Sequence, residues 1–422
     1  MKKTTLALSL FIALASAAFS QEGSVPADIP RLDHVFVIMM ENHGYAQIIN
    51  NPNAPFINSY ATSANLANNY FAVAHPSLTN YLETVGGSNF GVLSDNAPDW
   101  HNLNCATNLS TGIPNTDNPS SPPICPIAGS GTDAATPLLD CTNEVTGPPC
   151  EIEIDNVHQY AAVSTTLGIT IADQLAAANK TWKTYQENLP TMVGPDLVNY
   201  SDGNFTNNST FPPCPLCNPA LSTSDIVQLY ASKHNPFVYF HNVQEGSNPK
   251  VSYAQMAAFD GAGGLWADLA SGKMPAFSYI VPNQCNDQHG RGNGTAFCNY
   301  DPQDDGTQAN LNPALITLGD QAVQKIVTAI HGSQAWHAGK SAIVVVWDEN
   351  DYSVQPITNQ VVAIVDTNYG VHGVSSNQFY THFSLLRSLE AGLKLPCLNH
   401  ACDASTLAMT DLFAAKEEHG KH

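Results

Sequence analysis

Two short runs far apart in the chain end in side chains that could hold a metal ion. The first is Val35-Phe-Val-Ile-Met-Met, followed by Glu41, Asn42 and His43. The second is Ile343-Val-Val-Val-Trp, followed by Asp348, Glu349, Asn350 and Asp351. Carboxylate and amide oxygens are hard ligands for divalent cations. If the fold brings the two tips together, Glu41, Asn42, Asp348 and Glu349 could share one ion. The alternative is a pair of core strands that each end in an ordinary polar turn.

Other segments add chemistry of the same kind. His75-Pro76-Ser77 precedes a helical pattern that contains Asn80 and ends near Gly86-Gly87. Ser77 at a helix N-terminus would face unpaired N–H groups that can hold a phosphate and favour an alkoxide. A metal beside it could ionise the hydroxyl, although Ser at this place is also a common helix cap. Asp287 and His289 lie two residues apart between Cys285 and Cys298, and could bind a metal or an anion. His372 stands between glycines, where a backbone can come close to a ligand. His382 reads as structural, and Asp351 as support for the ligands beside it.

These groups need rigid elements to carry them. Apolar, β-branched runs that stop in polar residues read as buried parallel strands, and open sheets bind ligands at the carboxyl ends of such strands. Further strands are expected at 68–74, 181–188, 234–241, 276–282 and 361–365. Helices are expected at 55–64, 169–175, 318–330 and 381–393. The alternation predicts an α/β fold with a mostly parallel central sheet and helices on both faces. Residues 91–155 are rich in Pro, Gly, Asn, Ser and Thr and hold four cysteines, which suggests a disulfide-stapled cap or lid.

The chain has 422 residues, and residues 1–20 have the basic start, short apolar stretch and small-residue end of a signal peptide. Residues 21–422 then form a single domain with the 91–155 insertion. No stretch is long enough for a membrane anchor, so the mature protein is expected to be secreted or periplasmic. The even count of 10 cysteines suits disulfides in that setting, with Cys214/Cys217, Cys285/Cys298 and Cys397/Cys402 as close pairs. A net charge of −21 argues against nucleic acid as a partner. The 15 histidines equal all Lys and Arg together. Metal and histidine would therefore supply much of the positive charge for an anionic substrate, more so at acid pH.

The order and type of five segments resemble the secreted bacterial and fungal acid phosphatase and phospholipase C phosphoesterases of the alkaline phosphatase superfamily. The segments are Asp33–His43, His75–Gly87, Val281–His289, Val345–Asp351 and Thr381–Glu390. The resemblance implies an alkaline-phosphatase-like sheet with Glu41, Asn42, Asp348 and Glu349 as metal ligands. It implies Ser77 as a metal-bound nucleophile, Asn80 as a phosphate contact, and Asp287, His289 and His372 as the second half of the metal or phosphate site. Glu41 and Glu349 depart from the Asp and His of better-known superfamily members, so the ion stays open among Ca²⁺, Mg²⁺, Mn²⁺ and Zn²⁺.

The expected function is a secreted, metal-dependent acid phosphatase that cleaves small phosphate monoesters through a phosphoserine on Ser77. Asn42, Asn80 and His289 or His372 would hold phosphate oxygens, and His75 or His289 would protonate the leaving group. The rival readings are a phospholipase C-like phosphodiesterase and a non-catalytic exported cation-binding protein.

Overall fold

The protein is described by a computed structural model over residues 22–90, 95, 168–189, 229–290, 298–301, 307–350 and 359–413. The signal segment, Asp351 and all of the 91–155 insertion except Asp95 lie outside these residues. So do the cysteines from Cys105 to Cys217.

The described residues form ten strands: β1 (His34–Met40), β2 (Asn65–Ala67), β3 (Tyr70–Phe71), β4 (Trp182–Gln186), β5 (Met256–Ala258), β6 (Phe277–Val281), β7 (Ser341–Trp347), β8 (Ala363–Thr367), β9 (Ser375–Ser376) and β10 (Tyr380–Thr381). Eight of them form one sheet in the order β5-β4-β6-β1-β7-β8-β2-β9, and β3 and β10 form a separate parallel pair. Only β8 runs against the rest of the large sheet. All seven residues of β7 and six of the seven in β1 are buried, as expected for strands covered on both faces.

The helices pack in two groups. Pro55–Ser63 and Leu265–Ser271 meet the long helix Pro313–His331, while Ser77–Gly86 meets His382–Leu393 and Ile171–Ala177. Local signals account for several boundaries. Pro55 and Pro313 occupy the first helical turn, where a missing N–H costs nothing. The Asn312 side chain caps the long helix by accepting from Ala314 N–H at 3.1 Å. Gly87 and Gly272 end their helices in the left-handed conformation that glycine adopts without penalty.

The register of the central strands positions the site. Met40 of β1 lies opposite Trp347 of β7, so the next residues, Glu41 and Asp348, emerge side by side. The bonding continues past the strand ends. Asp348 N–H donates to Met40 O at 2.9 Å, and Glu41 N–H donates to Asp287 O at 2.8 Å. Disulfides join Cys285 to Cys298 and Cys397 to Cys402, as their spacing suggested.

Two expected strands differ. The run 234–241 instead makes the 3-10 turns Ser232–His234 and Pro236–Tyr239. Pro236 has no N–H to give a sheet ladder, and its fixed φ suits the start of a turn. The expected strand at 68–74 is split, with β2 ending at Ala67 in the large sheet and β3 leaving it. Among the described residues, no helix is long and apolar enough to cross a membrane.

Candidate active site

Ser77 is the first residue of its helix. The cap position is Pro76, whose side chain makes no capping hydrogen bond, and the Ser77 hydroxyl is not spent on capping. Instead Oγ lies 3.1 Å from Glu41 Oε2 and 3.0 Å from Glu349 Oε1, fully buried. One hydroxyl has one proton and can satisfy only one of these carboxylates. The other oxygen pair requires a second proton or a cation.

Around this contact the two strand tips interlock. Asn42 adopts a left-handed backbone conformation (φ 56°), which asparagine tolerates, and its N–H donates to Asp348 Oδ1 at 3.1 Å. Glu349 Oε2 lies 2.7 Å from His75 Nδ1 and accepts from Asn80 Nδ2 at 3.2 Å. Glu349 therefore bridges Ser77, His75 and Asn80.

The rest of the Asn80 amide is committed to the chain. Its Nδ2 also donates to Ala74 O at 2.7 Å, and its Oδ1 accepts from Val73 N–H and Ala74 N–H at 3.1 and 3.0 Å. These bonds tie down the segment that leads to Ser77. Asn80 thus holds Glu349 and the backbone, whereas the sequence suggested a contact to substrate.

A second group comes from the 3-10 turn Ser232–His234, whose last residue was expected to begin the strand 234–241. His234 Nε2 lies 3.0 Å from Glu41 Oε1, and its Nδ1 lies 3.2 Å from Asp287 Oδ2. Its ring stacks on Tyr81 with centroids 5.3 Å apart and planes at 7°. Lys233 Nζ donates to His289 Nε2 at 3.1 Å and to Asp95 Oδ2 at 2.8 Å. His289 Nδ1 in turn donates to Gly290 O at 2.8 Å, and its backbone N–H donates to Asp287 Oδ1 at 2.7 Å. This pattern makes His289 neutral, with the lone pair of Nε2 facing the lysine.

The local electrostatics follow from burial and pairing. Burial pushes the Glu41 carboxyl up, but the neighbouring His234, first, and then Lys233 outweigh it and hold Glu41 well below the usual range. Burial disfavours the His234 cation, yet Glu41 and Asp287 raise it to about 9. Asp287 is raised to about 6, chiefly by burial. Burial, then Lys233, lowers His289 to about 3. Asp348 is pushed well above its ordinary range by burial and by Glu41 and Glu349.

This donor set fits a divalent cation. Glu41, Asp287, Asp348 and Glu349 are all buried, and Asp348 Oδ2 receives no hydrogen bond. Carboxylates packed this closely repel one another unless a positive charge joins them. One atom each of Glu41, His234 and His289 also lies within 4.8 Å of the others, a spacing suited to an ion. Oxygen ligands alone would favour Ca²⁺, Mg²⁺ or Mn²⁺, and the histidine-containing set would favour Zn²⁺.

His372 does not join the cluster. Its side chain is 45% exposed, and its Nδ1 lies 3.7 Å from Asp366 Oδ1. Asp366 pairs with Ile343, near the start of β7, because β8 runs antiparallel. His372 therefore lies toward the other end of the sheet, and the substrate contact expected of it is withdrawn. His382 is structural, as read: its Nε2 donates to Asp348 O at 2.6 Å, and its Nδ1 accepts from Tyr70 OH at 2.9 Å. The sequence reading missed Lys233, His234 and Asp95. A Lys-His pair directly before Asn-Pro was the only local signal for the first two.

The chain is similar in sequence to known proteins over most of its length. The phosphoesterase family model matches residues 48–300, which include Ser77, His234, Asp287 and His289. A phosphatidylinositol-3-phosphatase of Mycobacterium tuberculosis is 24% identical over 97% of this chain and 91% of its own length. An acid phosphatase of Aspergillus fumigatus is 23% identical over 88% of this chain, which spans 57% of that protein. Among solved structures, a member of the alkaline phosphatase superfamily from Vibrio parahaemolyticus aligns with a TM-score of 0.42 at 10% identity, covering 91% of this chain and 71% of that one. The family match takes in more than half of the sequence, and the chain belongs to the phosphoesterase family, hydrolases of phosphoric ester bonds.

Proposed function

We propose that the chain is a secreted, metal-dependent phosphomonoesterase of the acid phosphatase type, acting through a phosphoserine on Ser77. The observation that carries this reading is the single Ser77 hydroxyl held between Glu41 and Glu349 at 3.1 and 3.0 Å. The names of the mycobacterial and fungal relatives, which are both phosphatases, support monoesters over diesters.

Glu41, Asp348 and Glu349 would hold the cation beside Ser77, with Asn42 and Asp287 at the margin. When bound, a divalent ion would lower the hydroxyl pKa and offset charge on the transferring phosphoryl group. The chain's own residues do the rest. Ser77 Oγ attacks phosphorus, the P–O bond to the leaving group breaks, and a serine phosphoester forms. The hydroxyl proton passes to Glu349, whose other oxygen is held by His75. Water then cleaves the phosphoester and returns the proton to Ser77. His75 is favoured as the proton carrier for the leaving group, because His289 turns a lone pair toward Lys233.

The test is p-nitrophenyl phosphate hydrolysis across acid to alkaline pH, before and after chelation, with single metals added back. Phosphatidylinositol 3-phosphate and phosphatidylcholine serve as lipid monoester and diester. Monoester turnover that chelation removes and one metal restores is expected. Turnover of phosphatidylcholine alone would replace this reading with the diesterase, and no turnover with any metal would leave a cation-binding protein.

A further inference from the structure

Asp95 holds two donors that a substrate phosphate would need. The Leu78 N–H, one of the unpaired groups at the start of the Ser77–Gly86 helix, donates to Asp95 Oδ1 at 3.0 Å. Lys233 Nζ donates to Asp95 Oδ2 at 2.8 Å. The Asp95 carboxylate therefore lies between a helix N-terminus and a buried ammonium, bonded to the N–H of the residue next to Ser77. These two kinds of donor are well suited to phosphate oxygens.

The partners differ in how firmly they are fixed. The Lys233 side chain is 9% exposed, and its ammonium is also held by His289 Nε2. The Leu78 N–H belongs to a fully buried helix. The Asp95 side chain is 33% exposed, so water already reaches it. Resting on the reading of Ser77 as nucleophile, we infer that Leu78 N–H and Lys233 Nζ form the cradle for the non-bridging phosphate oxygens, and that Asp95 occupies this cradle until substrate displaces it.

The role of His289 changes with this assignment. Its Nδ1–H is spent on Gly290 O, so its Nε2 lone pair steadies the Lys233 ammonium. Lys233 brings a permanent positive charge to the same buried pocket as four carboxylates, where an anionic substrate needs it. Asp95 neutralises that charge while no phosphate is present. An internal competitor of this kind weakens apparent affinity by the fraction of time it fills the cradle.

The test uses Asp95→Ala, Asp95→Asn and Lys233→Met in the full chain loaded with its restoring metal. Inorganic phosphate binding is measured by calorimetry, and KM and kcat with p-nitrophenyl phosphate. Both Asp95 variants should bind phosphate about tenfold more tightly and show a lower KM, and Lys233→Met should bind it about tenfold more weakly. Asp95→Asn, which can still accept from Leu78 N–H, covers the case in which the Ala variant fails to fold. Unchanged or weaker phosphate binding in both folded Asp95 variants would overturn the cradle and leave Asp95 as a plain partner of Lys233. The two readings fail differently: turnover with unaltered phosphate affinity sinks the cradle alone. Tighter phosphate binding without turnover in any variant sinks Ser77 as nucleophile and leaves the cradle standing.

Discussion

The two ends of the central sheet carry similar side chains in different settings. At the carboxyl ends of β1, β6 and β7, four carboxylates and the histidines His75, His234 and His289 surround Ser77 in nearly complete burial. Toward the other end, Asp366 meets His331 at 2.8 Å and His372 at 3.7 Å, with Tyr60 OH donating to the same carboxylate at 3.0 Å. There the histidine side chains are 39% and 45% exposed. Water can solvate that pair, and an exposed ion pair is worth little. In the buried cluster no such relief exists, so each charge is set by its neighbours. Residue type alone does not separate the two ends; burial of mutually repelling groups around the Ser77 hydroxyl does, and it makes the buried end the candidate site.

The largest effect expected at the buried end is from Ser77→Ala, which should lower kcat by about 10³-fold or more while the fold persists. Near-normal turnover with unchanged thermal unfolding would falsify the covalent route. Asp348→Asn separates function from stability at the same place. It should lose metal-restored activity by roughly 100-fold. In chelator, however, it should unfold at a higher temperature than the parent, by about 1 kcal/mol or more, because a repelled buried carboxylate is gone. A lower unfolding temperature in chelator would show that Asp348 is well satisfied without an ion.

The resemblance of the two ends ran deep enough to mislead a reading of the sequence. Glu41 and Asp348 were legible because an apolar run ending in acids is a local pattern, and β1 and β7 pair over their full length. Ser77 was legible because a strand-to-helix junction has its own signature. His372 looked equivalent, since flanking glycines signal close approach. They do not say at which end of the sheet it occurs, and the reversal of β8 decided that. His234 was hidden because it was read as the start of the strand 234–241, and Lys233 because it lay outside every expected element. Their partners Glu41, Asp95, Asp287 and His289 are remote in sequence, and no local spacing records such contacts. For Asn80 the sequence suggested a phosphate contact, while its bonds to Val73, Ala74 and Glu349 appear only once the chain is folded.

A smaller effect sharpens the contrast with a buried acid outside the site. Glu390 is fully buried on the last long helix, where its Oε1 accepts from Leu398 N–H at 2.8 Å. Burial holds its carboxyl well above the usual range. The folded protein therefore binds this proton more tightly than the unfolded chain does. Its contribution is present below the ordinary carboxylate pKa and is lost as pH rises toward the folded value. Glu390→Gln should bring a stability advantage that grows from acid to neutral pH, read by denaturant melts at each pH. An advantage that shrinks as pH rises would mean that Glu390 is charged and satisfied in the fold.

The smallest effect belongs to the exposed end. His372→Ala should leave turnover within about twofold and stability within about 0.5 kcal/mol. A large loss of activity would bring His372 back into the reaction and remove the distinction between the two ends.

The backbone rungs from Glu41 to Asp287 and from Asp348 to Met40 carry the sheet's ladder into the site itself. Amide hydrogens in such positions exchange with solvent only through the rare openings that release the central strands. The Glu41 and Asp348 amides should accordingly count among the slowest in the molecule, on the scale of whole-domain unfolding. Heating should then destroy the site and the core in one event, with no inactive but folded form gathering beforehand.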